Sequence, residues 1–411
     1  MLSNHQHFRK TSIQVLIVSI ILLSSIFTPL LNAQDTSGAP SLQRQDLIQI
    51  QEESLSWFQN TLNQSTGRLM NETNELTLTD HILTGIILEL YASDISSSNE
   101  ILTNAVEGIL NDYSENETNH SLFTHALLLN FLYRIPSSFS NESTKERIAN
   151  HILFSTTKSH LFNTSQVVSQ EGAAALQALI LHYDYTNNYS KQQEIAMIIH
   201  AYNETLYNHY QLFTKNNTNN TEIYNLSFFT IPLSTIYTID EQFIQPYSLI
   251  IHINNQLQHI QQRKRPGDTL GQYIQNDPTK RLVHQLHSIN SMSQAYNLSK
   301  TMDDSQNTTA FKESLILGLI YLKNIRKADW TDTPSPSEHL LLLSILHKTL
   351  SVLPDEPWTF LWDSDKGQLL EGRALEPSPT LWTALTIGVM GSIGLLALVF
   401  IIIGLYYKNK R

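Results

Sequence analysis

Few residues of this chain have the type and spacing that chemistry needs. His284 and His287 stand three apart, which on a helix puts both imidazoles on one face, as a metal site would require. A zinc ion wants a third ligand, and no motif supplies one. Two surface or packed histidines are the ordinary reading, in a chain with 16 of them. The run DSDKG at 363–367 alternates oxygen ligands ahead of a glycine, as calcium loops do. It lacks the third oxygen position and the distant glutamate of an EF-hand, so a tight turn between two short apolar runs is expected. There is no serine-nucleophile motif and no glycine loop for a phosphate. The chain has no cysteine, which excludes disulfides, thiol catalysis and thiolate metal sites. No cofactor is implied.

The commonest chemical signature is the Asn-x-Ser/Thr triplet, the acceptor for N-glycosylation. Thirteen occur, at Asn63, Asn71, Asn116, Asn119, Asn141, Asn163, Asn188, Asn203, Asn216, Asn219, Asn225, Asn297 and Asn307. Such a triplet matters only on the exported side of a membrane, and the two ends of the chain speak to that. Arg9 and Lys10 precede an uncharged stretch, 11–34, whose centre is nearly all apolar and which reaches the small residue Ala33 before polar QDTSG. That order reads as a secretory signal peptide over 1–33. Leu31 is larger than a cleavage site prefers, so an uncleaved anchor is the alternative, and either one exports the residues after it.

At the other end, 27 residues from Leu381 to Tyr407 carry no charge, which is long enough to cross a bilayer as a helix. Trp382, Tyr406 and Tyr407 sit where interfacial aromatics belong, and Lys408, Lys410 and Arg411 form a basic cytoplasmic tail, 408–411. That tail does not match a dilysine retrieval pattern, which favours the plasma membrane. Ala384, Gly388 and Ser392 repeat small side chains every four residues, a face through which two such helices could pair as a homodimer. Residues 34–380 hold all 37 acidic and 21 of the 26 basic residues, a net charge of −16 that argues against nucleic acid.

The elements that must position these residues read as helices. Glycine is scarce, strand-like alternation is nearly absent, and apolar residues recur at helical spacing. Capping signals such as Ser97-x-x-Glu100, Ser143-x-x-Glu146, Ser190-x-x-Gln193 and Ser335-Pro336 mark starts. They predict twelve helices, near 41–62, 78–93, 98–113, 119–135, 143–160, 166–186, 189–213, 227–240, 246–263, 279–300, 308–327 and 337–353. The eighth is the weakest, being rich in β-branched residues and containing Pro232. Several even-numbered helices are apolar nearly all round, while odd ones keep a polar face, which predicts inner helices alternating with outer ones. Three links, STGRLM (65–70), DTLGQYI (268–274) and DSDKGQLL (363–370), share a polar turn, a glycine and a following apolar pair. Pro354, Pro357, Pro377 and Pro379 read as a semi-rigid juxtamembrane stalk over 354–380.

In LTDHILTGIILELYASDIS (78–96) and AALQALILHYDYTNNYSKQQEIAMI (174–198) the chain resembles the (α/α) toroids, in particular the six-hairpin glycosidase-like group. The resemblance covers about 41–353 and is one of pattern, with no catalytic motif matched. It implies an all-α fold of outer and inner hairpins, (α/α)6, followed by the transmembrane helix. It also implies an active site at the N-terminal ends of inner helices. There it would place Asp80, Glu171 and Glu338 as the paired carboxylates a glycosidase uses, with His81, His125, His284 and His339 as binding candidates. The competing reading of these acids is capping, since a carboxylate in a first turn favours the positive end of the helix dipole. Eight triplets fall in links beside those same helix starts, where glycans would crowd a polymer substrate but admit a small ligand. The expected function is therefore a single-pass cell-surface helical glycoprotein, its bulk extracellular, that binds a carbohydrate or protein ligand without catalysis. The alternatives are a membrane-anchored carbohydrate-active enzyme and a structural component of an envelope or secretory-membrane complex.

Overall fold

A computed structural model describes residues 40–70, 76–115, 117–139, 142–158, 168–215, 220–239, 246–263, 269–273, 281–329, 335–354, 358–360, 362–363 and 368–369. The leader at 1–33, the span at 381–407 with Ala384, Gly388 and Ser392, the basic tail, and the triplets at Asn71, Asn116, Asn141, Asn163, Asn216 and Asn219 lie outside these residues. Among the described residues no helix is long and apolar enough to cross a membrane.

The described chain is helical, as the spacing of apolar residues predicts. Its α-helices are α1 (Arg44–Thr61), α2 (Leu78–Leu90), α3 (Ser98–Glu115), α4 (Leu122–Arg134), α5 (Glu142–Lys158), α6 (Gln170–Tyr185), α7 (Tyr189–Lys215), α8 (Asn220–Ser227), α9 (Thr230–Ile239), α10 (Pro246–Ile260), α11 (Arg281–Thr301), α12 (Ser305–Asp329) and α13 (Pro336–Val352). Each of the twelve expected segments overlaps a different one of these, with shifted ends, and α8 is an addition. The segment expected to be weakest is α9, and Pro232 does not break it. Pro232 is the third helical residue, where its missing N–H has no intrahelical partner to lose.

Six of these helices form a closed order of neighbours. Helix α2 packs on α4, α4 on α6, α6 on α9, α9 on α11, α11 on α13, and α13 back on α2. The others attach outside that order: α1 on α13, α3 on α2, α5 on α4 and α6, α7 on α6, α8 on α10 and α11, α10 on α9 and α11, α12 on α11. The six mutually packed helices supply much of the core, including Ile82, Leu128, Leu176, Leu233, Ile289 and Leu342, each at most 1% exposed. Burying such side chains stabilises a fold by about 1.5–3 kcal/mol each.

Short extended pairs tie the links down. Leu62–Asn63 (β2) pairs antiparallel with Arg68–Leu69 (β3), and Trp362–Asp363 (β5) with Gln368–Leu369 (β6), so two of the glycine-bearing links are closed as hairpins. Gly67 and Gly271 both take positive φ, +65° and +87°, and press their backbones onto a later helix, α3 and α12 respectively. Ser41–Leu42 (β1) pairs with Trp358–Thr359 (β4), joining the two ends of the helical array. Trp358 and Phe360 are each 1% exposed and belong to the core. The packed body therefore continues past α13 to at least Phe360, and a stalk beginning at 354 starts too early. Pro354 follows the end of α13, and by Trp358 the chain is back in the core, where the spacing of prolines alone suggests a spacer.

Candidate functional site

The three carboxylates are engaged at helix starts. Asp80 closes a capping box on α2: its Oδ2 accepts from Thr77 N (3.0 Å) and Thr77 Oγ1 (2.7 Å). Its Oδ1 accepts from Ser337 Oγ in the first turn of α13. Glu338 closes the equivalent box on α13, accepting from Ser335 N (2.8 Å) and Ser335 Oγ (3.0 Å). Glu171 reaches from the start of α6 to accept from Phe123 N at the start of α4, 3.1 Å away. Each satisfies backbone or hydroxyl donors at the positive end of a helix. The capping reading is the one the geometry has.

The candidate histidines go to four places. His81 Nδ1 lies 3.1 Å from Asp112 Oδ2, on a carboxylate that Arg68 Nη2 also grips at 2.8 and 2.7 Å. His339 is buried and stacks on Trp57, with ring centroids 4.0 Å apart. His284 and His287 share a face of α11, as their spacing predicts, and both meet Tyr224 of α8, at 4.4 and 6.3 Å between centroids. Burial, then the neighbouring His284, pushes the His287 imidazole down to about 4, so it is neutral at neutral pH. No group of three or more His, Asp or Glu among the described residues is arranged to hold a metal ion.

His125 is the candidate that lies in a cavity. A cleft of about 840 Å³ opens between the turn before α4 and one face of α5, lined by Glu117, His120, His125, Arg147, Asn150 and His151 among others. The turn is the short 3-10 segment Glu117–Asn119. Arg147, Asn150, His151 and Phe154 recur at helical spacing, so α5 presents them together. Glu117 Oε1 is the hub: it accepts from His151 Nε2 at 3.0 Å and lies 3.2 Å from Arg147 Nε. His125, 4% exposed, forms the floor. Its ring lies parallel to that of His151 at 5.3 Å and edge-on to His120 at 6.2 Å. The Tyr113 hydroxyl is 2.8 Å from its Nδ1, and His120 Nε2 donates to the Tyr113 carbonyl at 3.2 Å.

Charge in the cleft is set by this packing. Burial first, then the adjacent His151 and His120, pushes His125 down to about 4, against the pull of Glu117. Burial likewise raises the Tyr113 phenol, which stays protonated and donates to the neutral imidazole. The cleft thus offers an arginine, a carboxylate, an amide and imidazoles around an uncharged aromatic floor, with Phe154 60% exposed at its rim. That is a surface for recognising a polar ligand.

Two groupings escape the sequence. Tyr113, Glu117, Arg147 and His151 belong to no motif; only the histidine density of 120–151 hints at them. A second set gathers at the opposite ends of neighbouring helices: Glu89 near the end of α2, Arg134 at the end of α4 and Lys348 near the end of α13. Their charges act on one another, and burial pushes Lys348 down to about 7, helped by the like charge of Arg134. Arg134 is solvent-exposed yet desolvated enough to fall below its ordinary range, as happens to a side chain inside a recess.

No protein-family model, curated protein or solved structure matches this chain.

Proposed function

We propose that this chain is a plasma-membrane glycoprotein, anchored by 381–407 with its bulk outside the cell, whose helical domain binds a ligand in the Glu117–Arg147–His151 cleft without catalysing a reaction. The closed order of six apolar helices, each backed by an amphipathic one, supports an (α/α)6 toroid as its architecture. The uncharged 27-residue stretch with flanking aromatics and a basic tail supports the anchor, and the leader and the thirteen triplets support export.

The observation that carries the binding reading is the cleft itself. Its volume of about 840 Å³ lies in the range of small-molecule sites, and it brings together polar groups of both signs beside aromatic faces. Asp80, Glu171 and Glu338, the acids a hydrolase would need, are occupied as helix caps. A carbohydrate fits this lining better than a protein partner, because the site is concave and lined by hydroxyl-matching groups. The triplet at Asn119 stands between the lining residues Glu117 and His120, and a small ligand passes a glycan there that would block a polymer.

Detergent-solubilised full-length protein, probed on a panel of immobilised oligosaccharides, is expected to bind a subset. Arg147→Ala and His151→Ala should lose that binding while keeping the wild-type melting temperature. Binding unchanged in both variants would move the site elsewhere. For the address, protease added to intact cells should remove the domain; protection until the cells are permeabilised would overturn it.

A further inference from the structure

Exposed aromatic rings surround one of the acceptor triplets. Tyr185 ends α6 and Tyr189 begins α7, and they are 57% and 71% exposed. Between them lies Asn188, itself exposed, in the triplet Asn188-Tyr189-Ser190. One face of Tyr185 is taken: it stacks on Tyr133 with centroids 5.0 Å apart and planes inclined by 19°. Tyr133 is in turn fixed by its hydroxyl on His182 Nδ1 and by Lys145 Nζ, 4.8 Å from its ring centre. The result is a rigid aromatic shelf of two rings whose outer face meets water. Such a shelf offers an apolar face that a neighbouring group can cover.

Asn188 is built to carry that cover. Its Oδ1 caps α7 by accepting from Lys191 N at 3.2 Å, so the cap does not use Nδ2, the atom to which a glycan attaches. Three other described triplets differ. Asn203 is 8% exposed in the middle of α7. The Ser227 of the Asn225 triplet is 2% exposed, with its hydroxyl donating to the Tyr224 carbonyl at 2.7 Å. Asn307 spends its Nδ2 on Asp304 Oδ2 at 2.7 Å. Three residues span at most about 10 Å, so a sugar on Asn188 is within reach of the Tyr185 ring. The ring face is electron-rich and attracts the positively polarised C–H edge of a pyranose.

We propose that Asn188 carries an N-linked glycan whose first sugar ring lies on the Tyr185–Tyr133 shelf and clamps the corner between α6 and α7. This rests on the reading that the domain is exported. Full-length protein purified from membranes of its own cells would be mapped by peptide mass before and after enzymatic deglycosylation. Asn188 should be occupied, and Asn203 and Asn225 should not. Nitration of Tyr185 should run several-fold faster after deglycosylation, which leaves an aspartate able to keep the helix cap. Tyr185→Ala should lower the melting temperature by roughly 2 °C more in the glycosylated protein than in the Asn188→Gln background, where only the stack on Tyr133 is lost. Glycans on Asn63 or Asn119 with none on Asn188 would overturn this inference alone. No glycan anywhere would overturn it together with export. Equal nitration in both forms would show an occupied site whose sugar does not touch the shelf, and so would also overturn it.

Discussion

Tyr113 of α3 and His125 of α4 are joined by a 2.8 Å hydrogen bond from the phenol to Nδ1 at the floor of the cleft. Both side chains are buried, at 0% and 4% exposure. The pair locks the end of one helix to the start of the next across the turn that carries Glu117 and His120. Removing the hydroxyl leaves a buried imidazole nitrogen without its donor. Tyr113→Phe, which keeps the ring that stacks on His120 at 5.2 Å, should destabilise the protein by about 1–3 kcal/mol in urea unfolding. A change near zero would mean that water replaces the bond.

The same imidazole makes stability depend on acidity. His125 and His287 are each held down to about 4 in the folded protein, below the ordinary 6.5 they regain when it unfolds. Between those values the unfolded chain binds more protons. Stability is therefore full above about pH 6.5 and falls as pH drops toward 4, by up to about 1.4 kcal/mol per unit for each histidine. Around His125, the neighbouring His151 and His120 add to the effect of burial, and Glu117 opposes them. Urea midpoints measured at about pH 7, 5.5 and 4.5 should fall steadily, and His125→Gln should flatten the slope by about half. A pH-independent midpoint would show that both rings protonate freely in the fold.

What is legible in the sequence depends on which residues speak locally. The helices are readable because each announces itself by apolar spacing over several turns. Ser335-Pro336 caps where it stands. Other starts slide by a residue or two: Asn188 caps α7 ahead of Ser190, and α5 begins at Glu142, before Ser143. Asp80, Glu171 and Glu338 do stand at helix starts, but the bonds that decide what Asp80 and Glu171 do involve Ser337 and Phe123 of other helices. The cleft is not readable. Its Arg147 and His151 lie on what reads as the ordinary solvated face of α5, and Glu117 sits in a turn. Trp358 and Phe360 are hidden by prolines that normally mark spacers.

The recurring glycine links make a claim that can be checked against an internal control. At Gly271 a methyl group would overlap the Leu317 carbonyl oxygen, on a backbone held at φ +87°. At Gly67, with φ +65°, it would come within 2.6 Å of both Ala105 Cβ and the Ile101 oxygen. In each case backbone strain and a clash with fixed atoms add together. Gly271→Ala and Gly67→Ala should each cost about 3 kcal/mol or more. Gly108, inside α3, meets only the movable guanidinium of Arg68, at 3.2 Å. There the better helix propensity of alanine, about 1 kcal/mol, offsets the contact, and Gly108→Ala should be near neutral. Equal losses at all three positions would mean that the glycines matter for some reason other than close approach.

Lys348 gives the last test, because its surroundings act on it in opposite directions. It lies near the C-terminal end of α13, where the helix dipole favours a cation. Burial and then Arg134 nonetheless bring it down to about 7, with Glu89 pulling the other way. A lysine whose folded pKa is lowered binds fewer protons than in the unfolded chain above that value, so its contribution to stability grows as pH rises from about 7 toward 10.5. A lowered pKa also leaves a large share of the amine uncharged and nucleophilic near neutrality. Limited acetylation followed by peptide mass analysis should label Lys348 well ahead of the exposed lysines at pH 7.5, with half-maximal rate near pH 7. Arg134→Gln removes the like charge and should raise the midpoint. Glu89→Gln removes the supporting carboxylate and should lower it. Movement in those opposite directions would establish that three helix ends share one recess, whereas a midpoint near 10 unaffected by either substitution would show three independent surface groups.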